Sequence, residues 1–145
     1  MKIYFAAPFT LGPYVLKLHD LARELGHEPT STWASQATGE PDTLDELADG
    51  RRLALMVQND ADVERADLLV AIVVQGLGKE MFCEATLARF RGLPIYWVGP
   101  ERALPLSAFR PGSTRMPDDT HLKARLRDLA GPDGVERLHA SVTAH

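Results

Sequence analysis

Residues 68–74 read Leu-Leu-Val-Ala-Ile-Val-Val, seven apolar positions with no polar residue among them. A strand with one wet face alternates apolar and polar residues, so an unbroken run belongs to a strand covered on both faces. That is the setting of a central strand in a parallel sheet. Gly76-Leu77-Gly78 turns the chain behind it, and Glu80 to Arg91 follows as a helix closed by Gly92. Leu93 to Val98 then makes another strand.

The same alternation runs upstream. Lys2 to Ala6 is a short buried strand ended by Pro8, and Tyr14 to Leu25 is an amphipathic helix with Leu18, Leu21, Ala22 and Leu25 on one stripe. A weaker strand is expected around Glu28 to Ser31, a loop over Thr32 to Thr43, and a helical region from Leu44 to about Arg65. Strands alternating with helices imply right-handed βαβ units. The 145 residues therefore predict one α/β domain, a three-layer Rossmann-like or flavodoxin-like arrangement with a parallel sheet of four or five strands. Ala103 to Asp118, interrupted by prolines, is expected to hold little regular structure, and Thr120 to Ala130 reads as an exposed helix.

Composition narrows the function. A net charge of −4 offers no electrostatic footing for a nucleic-acid polymer, while a single nucleotide needs only one local pocket. The single cysteine, Cys83, rules out an intrachain disulfide and suits a reducing compartment. No stretch approaches the ~20 apolar residues of a membrane span, so a cytoplasmic protein is expected. His19, His27, His121, His139 and His145 lack metal-ligand spacing, and no GxGxxG or Walker sequence occurs. No metal or cofactor is expected.

In open parallel sheets the ligand crevice lies beyond the carboxyl ends of the strands. Three segments meet that condition: Ala7 to Gly12, Ser31 to Thr43, and Gln75 to Glu84, which includes Gly78. Glu80 and Glu84 are one helical turn apart at the amino end of a helix, where the dipole favours carboxylates. For Glu80 this is ordinary charge complementarity. Glu84 lies in the apolar surroundings Met-Phe-Cys and Ala-Thr-Leu-Ala, which suit a surface role poorly. Asp67 opens the third strand at the opposite edge and reads as a capping group. Asn59-Asp60 lies eight residues earlier, ~12 Å back toward the crevice if helical, so an acid there could face Glu84; Asp62 is a weaker candidate. Cys83 has no partner base and is expected in the core.

Three ordered segments carry a resemblance. Lys-Ile-Tyr-Phe-Ala-Ala-Pro-Phe at the start, Asn59-Asp60 through Val-Glu-Arg-Ala-Asp into the apolar strand, and Lys79 through Glu84 to Gly92-Leu93-Pro94 resemble nucleoside 2-deoxyribosyltransferases and the related 2′-deoxynucleoside 5′-monophosphate N-hydrolases over residues 1–99. The resemblance implies that Glu84 is a nucleophile toward C1′ of a deoxyribosyl group and that Tyr4 holds it. It also implies an acid that protonates the departing base: strict spacing gives Asn59, and a one-residue shift gives Asp60, preferred because an amide is no general acid. Phe9 matches an aromatic position near the base, with Trp33 as a second stacking face or ordinary packing. A homodimer or higher homo-oligomer is implied as well.

The sequence also departs from that pattern. Glu84 is followed by Ala85-Thr86-Leu87-Ala88 where the family has Ile-Gly-Tyr-Ala, and the spacing from Gly78 to Glu84 is long. Pro8 replaces a phosphate-binding serine, leaving Thr10 as the nearby hydroxyl. Asn59 is the sole asparagine, so the asparagine that a neighbouring subunit supplies in the transferases is missing. The expected function is cleavage or transfer at the N-glycosidic bond of a 2′-deoxynucleoside or its monophosphate. The alternatives are a nucleotide-binding or sensing module without turnover and an NAD N-glycosidase resembling TIR-type domains. All place Glu84 beside a sugar-sized cavity.

Overall fold

A computed structural model of the chain describes residues 1–37 and 49–143. Its centre is β3 (Leu68–Ile72), every residue of which is buried. β1 (Lys2–Ala6) pairs with it in parallel, Tyr4 opposite Leu69 and Phe5 opposite Val70. β4 (Ile95–Val98) pairs on its other side, and the order across the sheet is β2-β1-β3-β4-β5, all parallel. The expected α/β architecture is therefore present, with five strands. β2 is only Glu28–Pro29, shorter than expected, because Pro29 has no N–H for a ladder and is tolerated at an edge.

Pleating divides the side chains between two helical layers. Phe5 lies against His19 of α1 (Gly12–Glu24), with ring centroids 5.5 Å apart. On the same face Tyr96 accepts a hydrogen bond from Arg125 Nε of α4 (Asp119–Asp128) at 3.2 Å. Tyr4 and Trp97 point the other way, toward α2 (Asp49–Glu64) and α3 (Lys79–Phe90). Trp97 stacks on Phe82 of α3 at 6.3 Å. Asp67, at the sheet edge away from the crevice, accepts from the Lys2 backbone N–H at 2.7 Å and so fastens the start of β1.

The last third holds more structure than its prolines suggest. β5 (Ser113–Met116) forms an edge strand whose register places Trp97 opposite Arg115. Its Ser-Thr-Arg-Met sequence has no apolar run, since an edge strand is held largely by backbone pairing. α4 is capped by Asp118, whose carboxylate accepts from His121 N–H at 3.1 Å, and it is not the exposed helix expected. Leu122 and Leu126 are fully buried, and His27 Nε2 meets the Leu126 carbonyl at 2.9 Å. A further helix, α5 (Gly134–Thr143), buries Leu138. It starts at glycine because a Cβ there would stand 2.1 Å from the Leu129 carbonyl oxygen. Of the helix expected from Leu44, residues 44–48 lie outside the described residues, as do residues 38–43 of the preceding loop and His145. Among the described residues no helix is long and apolar enough to cross a membrane.

Candidate active site

β1, α2 and α3 each send one polar side chain to a common point at the carboxyl end of the sheet. Tyr4 Oη donates to Glu84 Oε1 at 2.8 Å, and Asn59 Nδ2 donates to the same oxygen at 3.0 Å. Both donors fall on Oε1; among the described residues no hydrogen bond reaches Oε2. Two donors on one oxygen fix the orientation of the carboxyl plane.

Glu84 is only 8% exposed, and desolvation pushes its pKa up to about 8. The Tyr4 hydrogen bond pulls it back down, the charges of Glu80 and Asp60 raise it further, and the Asn59 hydrogen bond lowers it again. Burial is the largest cause and the nearby charges are negative, so this acid is held in a costly state without a compensating cation among those causes. A buried acid perturbed in this way is a candidate functional group. Tyr4 itself is pushed well above its ordinary value by burial and then by Glu84, so it remains a neutral donor.

The local sequence explains the placement. Gly78 sits at φ +87, a left-handed conformation that suits glycine, and starts α3. A Cβ there would come into ordinary contact with Pro8 Cγ and Met81 Cε at 3.4 Å, so the loops after β1 and β3 lie side by side. Met81, Glu84, Ala85 and Ala88 form the buried stripe of α3. Glu80, one turn before Glu84 on the same helix, is exposed, and its charge reaches Glu84. Cys83 is also exposed rather than in the core, because it lies off that stripe.

α2 decides between Asn59 and Asp60. Its phase turns Asn59 onto Glu84, whereas Asp60, about 100° further round, is exposed and makes no hydrogen bond to Glu84 among the described residues. Direct contact therefore belongs to the amide, and Asp60 acts on Glu84 through its charge alone. Asp62, the weaker sequence candidate, is 3% exposed and engaged elsewhere. Its Oδ2 accepts from Thr32 N–H at 3.0 Å and from Thr32 Oγ1 at 2.5 Å, and its Oδ1 meets Arg65 at 2.5 Å. It ties the turn after β2 to α2.

That turn carries Trp33, which is buried and donates its indole N–H to the Phe5 carbonyl at 2.9 Å. Phe9 lies 6.1 Å from it, ring to ring, and both Phe9 and Thr10 are half-buried in the short turn after β1; Ala7 is buried. Trp33 thus packs as a wall that supports Phe9. Sequence reasoning did not single out Gln58, whose amide donates to Thr32 Oγ1 and accepts from Gln36 at 2.9 Å. Nothing in a lone glutamine on a helix signals that.

The sugar-sized cavity expected beside Glu84 is not met by either of two sizeable cavities lined by described residues. One of about 660 Å³ runs along β5 past Phe109, Arg115 and Val142, and another of about 250 Å³ lies between Phe82, Arg89 and Pro111. Neither includes Glu84 among its lining residues. Among the described residues no cluster of His, Cys, Asp or Glu could hold a metal ion.

The fold that carries this glutamate–tyrosine–asparagine junction is shared with solved α/β structures of low sequence identity. A 2-deoxyribosyltransferase of the psychrotolerant bacterium Bacillus psychrosaccharolyticus superposes with a TM-score of 0.63 at 18% identity, over 87% of this chain and 96% of that one. A CMP N-glycosidase of Clostridium botulinum superposes with a TM-score of 0.59 at 13% identity, over 89% and 98%. A conserved protein of Enterococcus faecalis reaches 0.50 at 21% identity, over 97% and 98%. These likenesses show a shared fold. No protein-family model matches the sequence, and no curated protein does.

Proposed function

We propose that the protein cleaves or transfers at the N-glycosidic bond of a nucleoside or nucleotide, with Glu84 as nucleophile. The observation that carries this reading is the buried carboxyl whose Oε1 is held by Tyr4 and Asn59 while Oε2 meets no donor among the described residues. Two of the fold's neighbours are named for the same bond, a CMP N-glycosidase and a 2-deoxyribosyltransferase.

In the proposed step Glu84 Oε2 forms a bond to C1′ as the bond from C1′ to the base nitrogen breaks, and the electron pair leaves with the base. The base nitrogen takes up a proton, and Asp60 is the proposed carrier, since Asn59 is an amide and transfers none. Water or a second base then attacks C1′ of the glycosyl ester and regenerates the carboxylate, as in retaining glycosidases. Phe9 is proposed to flank the base, supported by Trp33, with Ala7, Thr10 and Gly78 bordering the ligand and Glu80 contributing charge. The sugar implied by the sequence resemblance is 2′-deoxyribose.

The test is incubation with the common ribo- and deoxyribonucleosides and their 5′-monophosphates, with and without acceptor bases. Free or exchanged base is expected from at least one; none between pH 5 and 8 overturns the reading. Because attack requires the ionised form and the pKa lies near 8, kcat/KM should rise with pH and level off near that value. Tyr4→Phe removes a donor that lowers this pKa. The rising limb should therefore move to higher pH, with a loss of roughly tenfold at pH 7. A limb left in place would show that Tyr4 does not tune Glu84.

A homo-oligomer is proposed from the same resemblance. Leu53, Met56 and Val57 form an exposed apolar stripe on α2 that a second copy would cover. Light scattering should give a mass of at least two chains; a monomer would remove this point alone.

A further inference from the structure

The junction around Glu84 contains one polar atom that its own neighbours leave unpaired. Asn59 gives its Nδ2 to Glu84 Oε1, but its Oδ1 is buried and has no hydrogen-bond partner. Among the described residues one other buried side-chain atom shares that condition, Thr30 Oγ1, at the end of β2. A buried carbonyl oxygen without a donor is costly, and such groups in native proteins call for an explanation. Here the explanation has an address, since Oδ1 shares a carbon with the nitrogen that touches the nucleophile.

We infer that Asn59 Oδ1 accepts the 2′-hydroxyl of the substrate, so that the site is built for a ribosyl rather than a 2′-deoxyribosyl group. The inference rests on the proposed role of Glu84 and refines it. When a carboxylate oxygen of Glu84 stands at C1′, the nearest substrate groups are the ring oxygen O4′, the base nitrogen and C2′ with its substituent. O4′ has no hydrogen, and the glycosidic nitrogen has none while the bond is intact. The 2′-hydroxyl is the one donor next to the anomeric carbon, and a deoxy sugar lacks it. In glycoside hydrolysis hydrogen bonds to the 2-hydroxyl also strengthen toward the transition state. The helix that carries Asn59 is tied two ways to the turn after β2, by Gln58 and by buried Asp62, both on Thr32. A fixed acceptor discriminates because it cannot swing to another partner when the donor is missing.

The sugar preference implied by the sequence resemblance is thereby reversed, and the two readings separate cleanly. Adenosine, guanosine, cytidine, uridine and their 5′-monophosphates are each assayed against their 2′-deoxy counterparts. The ribonucleoside of the cleaved pair should show a kcat/KM higher by roughly 10- to 100-fold. Asn59→Leu, which removes the acceptor, should bring that ratio to near one. Asn59→Asp, which keeps an acceptor oxygen, should slow both substrates and preserve the ratio. A wild-type ratio at or below one, or a ratio unchanged by Asn59→Leu, overturns the inference while leaving glycosidic cleavage intact. If neither series releases base, the enzymatic reading fails. The sugar preference is then read by calorimetric titration of the same pairs into the Glu84→Gln protein. Tighter ribonucleoside binding sustains the inference, and equal binding overturns it.

Discussion

Glu84→Ala is expected to cut base release by on the order of 10³-fold or more, with the far-ultraviolet circular dichroism of the protein unchanged. The size follows from what the residue is proposed to do. It supplies the bond to C1′ and the negative charge beside a carbon that becomes oxocarbenium-like, and no other described side chain shares that position. Asp62 is committed to Thr32 and Arg65, Glu80 and Asp60 face solvent, and Tyr4 stays protonated. Truncation to alanine leaves the Tyr4 hydroxyl and the Asn59 amide without their shared acceptor. The loss must therefore be separated from a folding defect by measuring the variant's melting temperature in the same buffer. Chromatography of the released base gives the rate. A variant within tenfold of the wild type would sink the assignment and direct attention to Glu80.

Glu84→Gln should make the protein more stable than the wild type, and only at high pH. The carboxyl ionises near pH 4.5 in an unfolded chain and at about 8 in the fold, where burial penalises the charge. A raised carboxyl pKa means that the folded state binds the proton more tightly than the unfolded one. The associated stability is fully present below about pH 4.5 and is lost as pH climbs toward 8. A shift of this size corresponds to on the order of 5 kcal/mol between the two ends of that window. Glutamine keeps the shape and an acceptor oxygen for Tyr4 and Asn59 but never ionises. The two proteins should melt together near pH 4.5, and by pH 9 the variant should melt higher by about 10 °C or more. Melting curves across that range, followed by circular dichroism, give the answer. A difference that does not change with pH would mean that the carboxyl is hydrated in the folded protein, and the account of its burial would fall.

The two experiments interrogate one physical fact from opposite sides. A carboxyl that costs the fold stability when ionised must ionise to attack, so activity and stability should change in opposite directions over the same pH interval. Proteins retain such a conflict where function requires it.

Much of the scaffold was legible without coordinates. The unbroken run at 68–74 announces a strand covered on both faces, and it forms the middle of the sheet. The apolar stripe of α1 and the neighbourhood of Glu84 were readable for the same reason: helical and strand periods translate directly into faces. β5 escaped because Ser113–Met116 needs no apolar run at an edge, and α5 escaped because its buried contribution is mainly Leu138. Cys83 was misplaced because α3 buries a narrow stripe and the cysteine sits beside it.

What the sequence alone determined is the order of strands and helices along the chain and the presence of one glutamate in apolar surroundings. These follow from local periodicity and chain direction. Only the tertiary structure decided that Asn59 rather than Asp60 touches that glutamate, that Tyr4 and Asn59 converge on a single oxygen, and that one amide oxygen is left without a donor. Adjacent residues on a helix differ by about 100°, and which of them faces inward depends on how α2 is rolled against α3. That roll is set by contacts between segments far apart in the chain, Thr32 on Asp62 and Gln58 among them, and no local pattern encodes it.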